Sequence, residues 1–198
     1  MSFRFVTALF LLVQAAASHA ATVSIEVRAI GGRPLPGAVV TIDSARPVPV
    51  TLSPRVTYQI EQRDIAFQPS ILIVPVGATV AFPNRDKVRH HVYSFSKPKR
   101  IDLKLYGRED TRSVTFDKPG VVALGCNIHD AMSGFVYVTA TPFAALTDAA
   151  GKVTIANVPA GGARVTVWHP SIRSPGGSAA QPITVGAAGF ATVFALHR

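Results

Sequence analysis

The chain has 198 residues, of which 48% are hydrophobic and 16% are charged. It is too apolar and too weakly charged for a disordered protein, and it is long enough for one large domain or two small ones. Its single Cys excludes an intramolecular disulfide and every metal site that needs two thiolates. The formal net charge of +9 permits an acidic partner or a membrane surface without identifying either.

The first twenty residues have the composition of a cleavable export signal. Arg4 gives a short positive region, residues 5–17 are almost wholly apolar, and residues 18–20 fit a small-x-small cleavage site. We expect cleavage after Ala20 and a periplasmic location. An uncleaved membrane anchor is the alternative, but the apolar run is short for a bilayer, so no stable membrane insertion is expected after cleavage.

Short runs of alternating apolar and polar residues predict an all-β fold. These runs are 23–27, 114–116, 135–138, 153–155, 165–168 and 192–196. Glycine and proline clusters typical of turns separate them, and no segment has the period of an amphipathic helix of three turns. Short strands with frequent turns are typical of a β-sandwich or barrel.

The residues with the most informative chemistry lie between two predicted strands. Cys126, His129 and Met132 follow one another at three-residue intervals, and the adjacent pair His90 and His91 lies far upstream. Neighbouring residues of a strand point to opposite faces, so only one of these two histidines can face a given site.

A thiolate, two imidazoles and a thioether together suit copper. Two His and one Cys in a plane, with a weak axial Met, are the ligands of blue-copper electron-transfer sites. The competing interpretation makes Cys126 a small buried hydrophobe, His129 a turn residue and Met132 a core side chain. It leaves their regular spacing and the upstream histidines unexplained, so we expect one copper ion here.

Residues 60–140 resemble a cupredoxin, most closely the amicyanin and plastocyanin-like group. The matching positions are Phe67, Pro69, Val76–Val80, Phe82, Asn84, His90, Pro119, Gly120, Cys126, His129, Met132, Gly134 and Val138. The chain is also similar to periplasmic proteins described as methylamine utilisation proteins, which share the runs His90–Phe95 and Gly125–Asp130. Amicyanin-type loops usually have Pro beside the second His ligand, where this chain has Asp130, a difference that bears on loop stiffness and reduction potential.

The resemblance implies a Greek-key β-sandwich with one type 1 copper ion. Its ligands would be His90, Cys126 and His129 in a plane, with Met132 axial. The family spacing places the first His ligand six residues after the Asn, which selects His90. His91 then becomes a supporting or surface group beside the site, and Asn84 corresponds to the family Asn whose side chain ties the two ligand loops together.

By the same resemblance, the ring edge of His129 is the expected electron port. Ile128, Ala131 and Gly134 would form an apolar rim on which a redox partner docks transiently. The basic run Lys97–Arg100 is either a solvated turn or part of a docking face for an acidic partner, such as a cytochrome or dehydrogenase. A nucleic-acid partner is not expected, because no stripe of basic and aromatic residues is present.

The flanking segments resemble the two halves of a carboxypeptidase regulatory-like domain, a small Ig-like β-sandwich. The resemblance rests on the runs Ile30–Val40 and Thr147–Gly161. We expect a first half at 21–58, a cupredoxin domain at 59–140 inserted after it, and a second half at 141–198. One enlarged cupredoxin sandwich is the alternative. His169, beside the only Trp, is interpreted as a structural residue, with a place near the metal or between domains as the alternative.

These features predict a periplasmic blue-copper protein that transfers single electrons and is not an enzyme. The alternative is a periplasmic copper carrier or assembly factor that binds Cu(I) through the same ligands. A multicopper oxidase needs more histidines than the six of this chain can supply.

Overall fold

A computed structural model describes residues 20–196, so residues 1–19 of the predicted export signal lie outside the described residues. The strands are β1 Ala20–Arg28, β2 Val39–Ser44, β3 Tyr58–Gln59, β4 Glu61–Arg63, β5 Ala66–Gln68, β6 Ile71–Pro75, β7 Thr79–Pro83, β8 His90–Ser94, β9 Ile101–Tyr106, β10 Thr111–Thr115, β11 Gly120–Gly125, β12 Ser133–Thr139, β13 Ala144–Leu146, β14 Lys152–Pro159, β15 Gly161–Trp168, β16 Ser178–Val185 and β17 Phe190–Ala195. One 3-10 turn covers Pro175–Gly177. In this part of the chain the structure has no α-helix, and the predicted all-β class is confirmed.

Strands from both ends of the chain form one pair of sheets, which we call the flanking sandwich. The sheets have the orders β14-β1-β17 and β13-β2-β15-β16. β1 pairs antiparallel with β14 and parallel with β17, so the first described strand lies between two strands from the last fifty residues. The interaction of distant segments is therefore what completes this sheet.

The alternation in β1 explains why it occupies this central place. Val23, Ile25 and Val27 are buried, whereas Ser24 and Glu26 between them are partly exposed. Burying each such aliphatic side chain contributes about 1.5–3 kcal/mol. The side chain of Thr147 adds a polar link, because its Oγ1 accepts from the backbone of Ala38 at 2.9 Å and donates to the carbonyl of Leu35 at 2.7 Å.

The middle of the chain forms a second pair of sheets, which we call the central sandwich. One sheet has the order β6-β12-β11-β8-β9, and the other has the order β10-β7-β3. The pairs β6–β12 and β3–β7 are parallel, and the other pairs of these sheets are antiparallel. The small hairpin of β4 and β5 lies beside them, with Gln62 bridging to Asn84 next to β7.

Each sandwich has its own hydrophobic core. The flanking core draws its residues from 21–42 and 143–194, and the central core draws its residues from 60–138. Whether each core folds by itself, as the predicted insertion at 59–140 requires, stays a prediction.

The two sandwiches contact each other through aromatic side chains. Trp168, at the end of β15, lies against Phe135 and Tyr137 of β12, with ring centroids 5.2 Å and 5.8 Å away. Thr141, in the connection between the two cores, donates from Oγ1 to the carbonyl of Ile42 at 2.8 Å. Among residues 20–196, no helix is long and apolar enough to cross a bilayer.

Candidate metal centre

The loop between β11 and β12 carries three of the four predicted ligands. β11 ends at Gly125, and Cys126 directly after it is only 4% exposed. The backbone N–H of Met132 donates to the carbonyl of His129 at 3.0 Å, which closes a tight turn before β12 begins. Met132 is buried in the same core cluster as Cys126.

The fourth predicted ligand is the first residue of β8, where strand alternation separates the two adjacent histidines. His90 points inward and is fully buried. His91 lies on the outward face, where its Nε2 contacts Oδ1 of Asp102 at 2.8 Å. The structure therefore brings His90 to the loop of Cys126 and leaves His91 outside the cluster.

His90, Cys126 and His129 form a compact group of nitrogen and sulfur donors. Their candidate ligand atoms all lie within 4.8 Å of one another. Nδ1 of His90 lies 3.9 Å from Sγ of Cys126, and the rings of His90 and His129 have centroids 5.1 Å apart at an interplanar angle of 60°. Nitrogen and sulfur ligands bind transition metals at about 2.0–2.3 Å, so one ion can contact a nitrogen and a sulfur 3.9 Å apart.

One atom of the group has an unmet hydrogen-bonding requirement. Nδ1 of His129 is buried and has no hydrogen-bond partner among the described residues. An unpaired buried polar atom costs roughly 1–3 kcal/mol, and most are satisfied in native proteins. A metal ion in contact with Nδ1 would satisfy it. The soft thiolate with two imidazoles suits copper, and the buried Met132 is a suitable weak fourth donor, so the residues present fit the predicted group.

Asp86 contacts His90 and was not identified from the sequence. Its Oδ2 lies 2.8 Å from Nε2 of His90, on the side of the ring away from Cys126. Burial raises the pKa of Asp86, but hydrogen bonds from His90 and from the backbone of Ile65 and Asp64 outweigh it and lower that pKa below its ordinary value. The ionised carboxylate can only accept, so Nε2 carries the ring proton and Nδ1 is left free for a metal.

A hairpin turn holds Asp86 in place. The carboxylate accepts from the backbone N–H of Asp64 at 2.8 Å and of Ile65 at 3.1 Å. Both residues join β4 to β5. Their φ angles of 55° and 54° lie in the left-handed region, which is unfavourable for most residues other than Gly and especially for a β-branched residue such as Ile65. The same carboxylate therefore stabilises an unfavourable turn and orients a predicted ligand. The one signal in the sequence was the spacing, because Asp86 is an acidic residue four positions before His90.

Asn84 is almost fully buried beside the segment that leads to His90. Its Nδ2 donates to the carbonyls of Val88 at 2.9 Å and Tyr106 at 3.2 Å, and its Oδ1 accepts from the backbone of Asp86 at 2.8 Å. These bonds fix the loop before β8 against the end of β9. Within residues 20–196, no side-chain hydrogen bond of Asn84 reaches the loop of Cys126, so the predicted tie between the two ligand loops is not made by this side chain.

A buried polar group lies in the core close to the cluster. Gln62 donates from Nε2 to Oη of Tyr106 at 2.5 Å, and this hydroxyl donates to the carbonyl of Phe82 at 2.7 Å. Burial raises the pKa of Tyr106 to about 12, with a smaller raising effect from the nearby Cys126. Tyr106 therefore stays protonated beside the thiol.

The surface around His129 agrees only in part with the predicted rim. Ile128 is 50% exposed and Ala131 is exposed, with His129 partly buried between them. Gly134 is buried, and the predicted rim position of this residue is wrong. It faces inward in β12, where an added Cβ would lie only 3.0 Å from Cβ of Phe67.

Comparisons with known proteins found similarity among solved structures. No family model matches the chain, and no curated protein matches it. A copper-containing nitrite reductase of Thermus scotoductus SA-01 is 29% identical over 48% of this chain, with a TM-score of 0.41. A purple cupredoxin of Nitrosopumilus maritimus is 26% identical over 41% of this chain and 99% of its own, with a TM-score of 0.38. A mutant of amicyanin with Cu(I) is 23% identical over 50% of this chain and 98% of its own, with a TM-score of 0.40.

The match spans only 25% of the length of the nitrite reductase. The central sandwich of this chain is cupredoxin-like in its own geometry. Two sheets enclose one core, and a buried His-Cys-His group lies where β8 begins and β11 ends.

Proposed function

We propose that this protein binds one copper ion and carries single electrons in the periplasm. The ligands would be His90, Cys126 and His129, with Met132 as the weak axial donor. The observation that supports this most strongly is the buried His-Cys-His group with the unpaired Nδ1 of His129. Copper, when bound, would supply a one-electron couple between Cu(II) and Cu(I).

The burial of the group favours an electron carrier over an enzyme. Cys126 and His90 are almost fully buried, so a substrate would not reach them from solvent. His129 is partly exposed beside Ile128, and its ring is the route by which an electron would enter or leave. The surrounding strands fix both loops, so the ligand atoms keep their places when the charge changes. Little reorganisation would then accompany electron transfer.

Copper titration of the exported form, followed by visible absorption and electron paramagnetic resonance, tests this proposal. His90→Ala and His91→Ala are matched variants, because each removes one imidazole and the two positions are adjacent in β8. We expect an intense thiolate-to-copper band that is lost in Cys126→Ser and His90→Ala, shifted in Met132→Leu, and unchanged in His91→Ala. The last variant removes a contact with Asp102 and a ring beside Tyr93, both on the outward face and away from the donor atoms of the cluster.

Three results would contradict the proposal. Colourless binding of Cu(I) without a stable Cu(II) form would support the copper-carrier alternative. Absence of copper binding would leave the cluster as a structural group. Equal loss of the band in His90→Ala and His91→Ala would contradict the assignment of the ligand.

A further inference from the structure

The outward face of the five-stranded sheet is covered over only part of its width. Phe135 and Tyr137 of β12 lie under Trp168 of the flanking sandwich. On the next strand, β11, this face carries the small residue Ala123, which pairs with Phe135, and then Gly125. Beyond β11 lies β8, and among residues 20–196 the ring contacts of Trp168 reach only β12 and not this strand.

Two outward residues of β8, His91 and Tyr93, and Phe95 directly after this strand form a row of rings that we call the aromatic ladder. Neighbouring ring centroids are 5.6 Å apart for the first pair and 5.4 Å apart for the second. Phe95 is 77% exposed, more than any other large hydrophobic side chain among the described residues. Exposed apolar surface of this kind often marks an interaction site, and the row of tilted rings ends in the most exposed of them.

A groove runs beside the ladder because β8 and β11 separate there. The two strands pair only at Tyr93 and Gly125, and beyond this point Oγ of Ser96 accepts from the backbone of Ala123 at 3.0 Å. Tyr93, Phe95, Ser96, Ala123 and Leu124 line the open space. The small side chain of Ala123 leaves room there for an apolar side chain of another molecule.

The ladder contacts the residue that directly precedes the predicted ligand Cys126. An added Cβ on Gly125 would lie 2.7 Å from Cζ of Tyr93, so the tyrosine ring rests on the residue before Cys126. Tyr93 thus lies between the exposed Phe95 and Gly125, the residue before Cys126. This contact between Tyr93 and Gly125 lies on the outward face of the five-stranded sheet, whereas His129 belongs to the loop that follows β11.

The surroundings of Phe95 are positively charged. Lys97 and Arg100, in the turn that joins β8 to β9, are exposed and make no ion pair with any residue of the described range. The nearby acidic groups are already paired: Asp102 with His91 and Lys104, and Asp117 with Lys99. The uncompensated charge beside the groove is therefore cationic.

We propose that the aromatic ladder, its groove and the cations Lys97 and Arg100 form a docking surface for an acidic electron-carrier protein. The proposal rests on the proposed electron-transfer function and adds a second contact face to it. An apolar side chain of the partner occupies the groove, and its carboxylates face the two cations. A reduced partner would lose one electron there and a copper ion held by Cys126 would gain it, with Tyr93 as the contact beside Gly125. A small surface with one exposed ring and two free cations suits the transient contacts of redox proteins.

The test uses the full exported chain and an acidic plant-type [2Fe–2S] ferredoxin as the probe. Binding is measured by calorimetry at low salt, and contacts are mapped by amide NMR of the metal-free protein. We expect amide shifts in residues 93–100 and 121–125. Phe95→Ser and the double variant Lys97→Glu with Arg100→Glu should each weaken binding about tenfold, because contact-centre aromatics and complementary charges contribute most to such complexes.

Matched controls come from the flanking sandwich. Ile30→Ser removes a side chain that is 49% exposed, and Arg33→Glu with Arg46→Glu makes the same change of net charge away from the groove. Both should leave binding within a factor of about two. Equal weakening by the two double variants would show a response to net charge alone and would overturn the proposal.

Other outcomes also decide against it. Absence of ferredoxin binding, or shifts confined to residues 126–131, would overturn the second face. Changes in the same signals with the protein's own concentration would show that a second copy covers the ladder. Failure of the docking proposal can be distinguished from failure of the copper proposal. The NMR mapping and the calorimetry need no bound copper, whereas the absorption band does.

Discussion

Replacing Asp86 with Asn tests whether this carboxylate positions His90. The change keeps the size of the side chain but removes its charge and one of its two acceptor oxygens. In the native chain the carboxylate accepts three N–H groups, from Nε2 of His90 at 2.8 Å and from the backbone of Asp64 at 2.8 Å and Ile65 at 3.1 Å. An amide has one acceptor, and its own NH₂ would face at least one of these donors.

The magnitude follows from the bonds that are lost. A hydrogen bond to a charged group contributes about 1.5–3 kcal/mol, and the side chain of Asp86 is only 14% exposed, so water replaces little of this. Loss or weakening of two such bonds should lower the free energy of unfolding by about 3 kcal/mol. Loss of a group that orients a ligand histidine should also weaken copper binding about 10- to 100-fold.

Two assays separate positioning from general destabilisation. Urea unfolding of the metal-free protein gives the stability change, and competition with a chelator gives the copper affinity. Nitrogen NMR of the histidine ring reports which nitrogen of His90 carries the proton, and we expect the single tautomer of the native chain to become a mixture. Asp117→Asn is the control, because Asp117 is 59% exposed and contacts only Lys99.

The reasoning would be refuted if Asp86→Asn kept the native copper affinity and the single His90 tautomer. A loss of stability with unchanged affinity and tautomer would show that Asp86 serves only the turn at Asp64 and Ile65.

Two further predictions concern stability. Trp168→Ala should lower the free energy of unfolding by about 3–5 kcal/mol, because Trp168 is 4% exposed and packs on two rings of the central sandwich. A calorimetric unfolding transition that is unchanged in this variant would contradict the prediction. Burial lowers the pKa of His169 below its ordinary value of 6.5, and the neutral ring accepts from the backbone of Ser171 at 3.2 Å. Because the unfolded chain binds more protons below pH 6.5, the free energy of unfolding should fall as pH drops through this range. His169→Asn should reduce that slope, and equal slopes in urea titrations at several pH values would refute the prediction.

The chemistry of the centre could be read from the sequence because it depends on short-range spacing. The intervals between Cys126, His129 and Met132 place all three in one loop between strands. Alternation along a strand explains why His90 and His91 face opposite sides. The same rule, applied to β12, would have placed Gly134 inward, next to Val136 and Val138, and not in the rim.

Features that depend on distant contacts could not be read in this way. Asp86 looks like an ordinary turn residue until the hairpin at Asp64 and Ile65 is brought to it. The position of β1 between β14 and β17 depends on pairing across more than a hundred residues. In the sequence, the aromatic ladder is visible only as ring side chains at every second position. Its exposure depends on the position of Trp168, which packs on β12 of the same sheet.

The two sides of the candidate metal centre are held by different means, and this bears on how the site binds a metal. Cys126 and Met132 are fixed by the pairing of β11 with β12, whereas His90 is fixed by Asp86 and the hairpin turn. Both supports consist of protein contacts that exist before any ion arrives. Among the described residues, the buried Nδ1 of His129 is the nitrogen of this group that lacks a hydrogen-bond partner, at a cost of roughly 1–3 kcal/mol. Metal binding relieves this cost and needs little rearrangement, so a rigid site of this kind should hold its ligands in nearly the same places in both oxidation states.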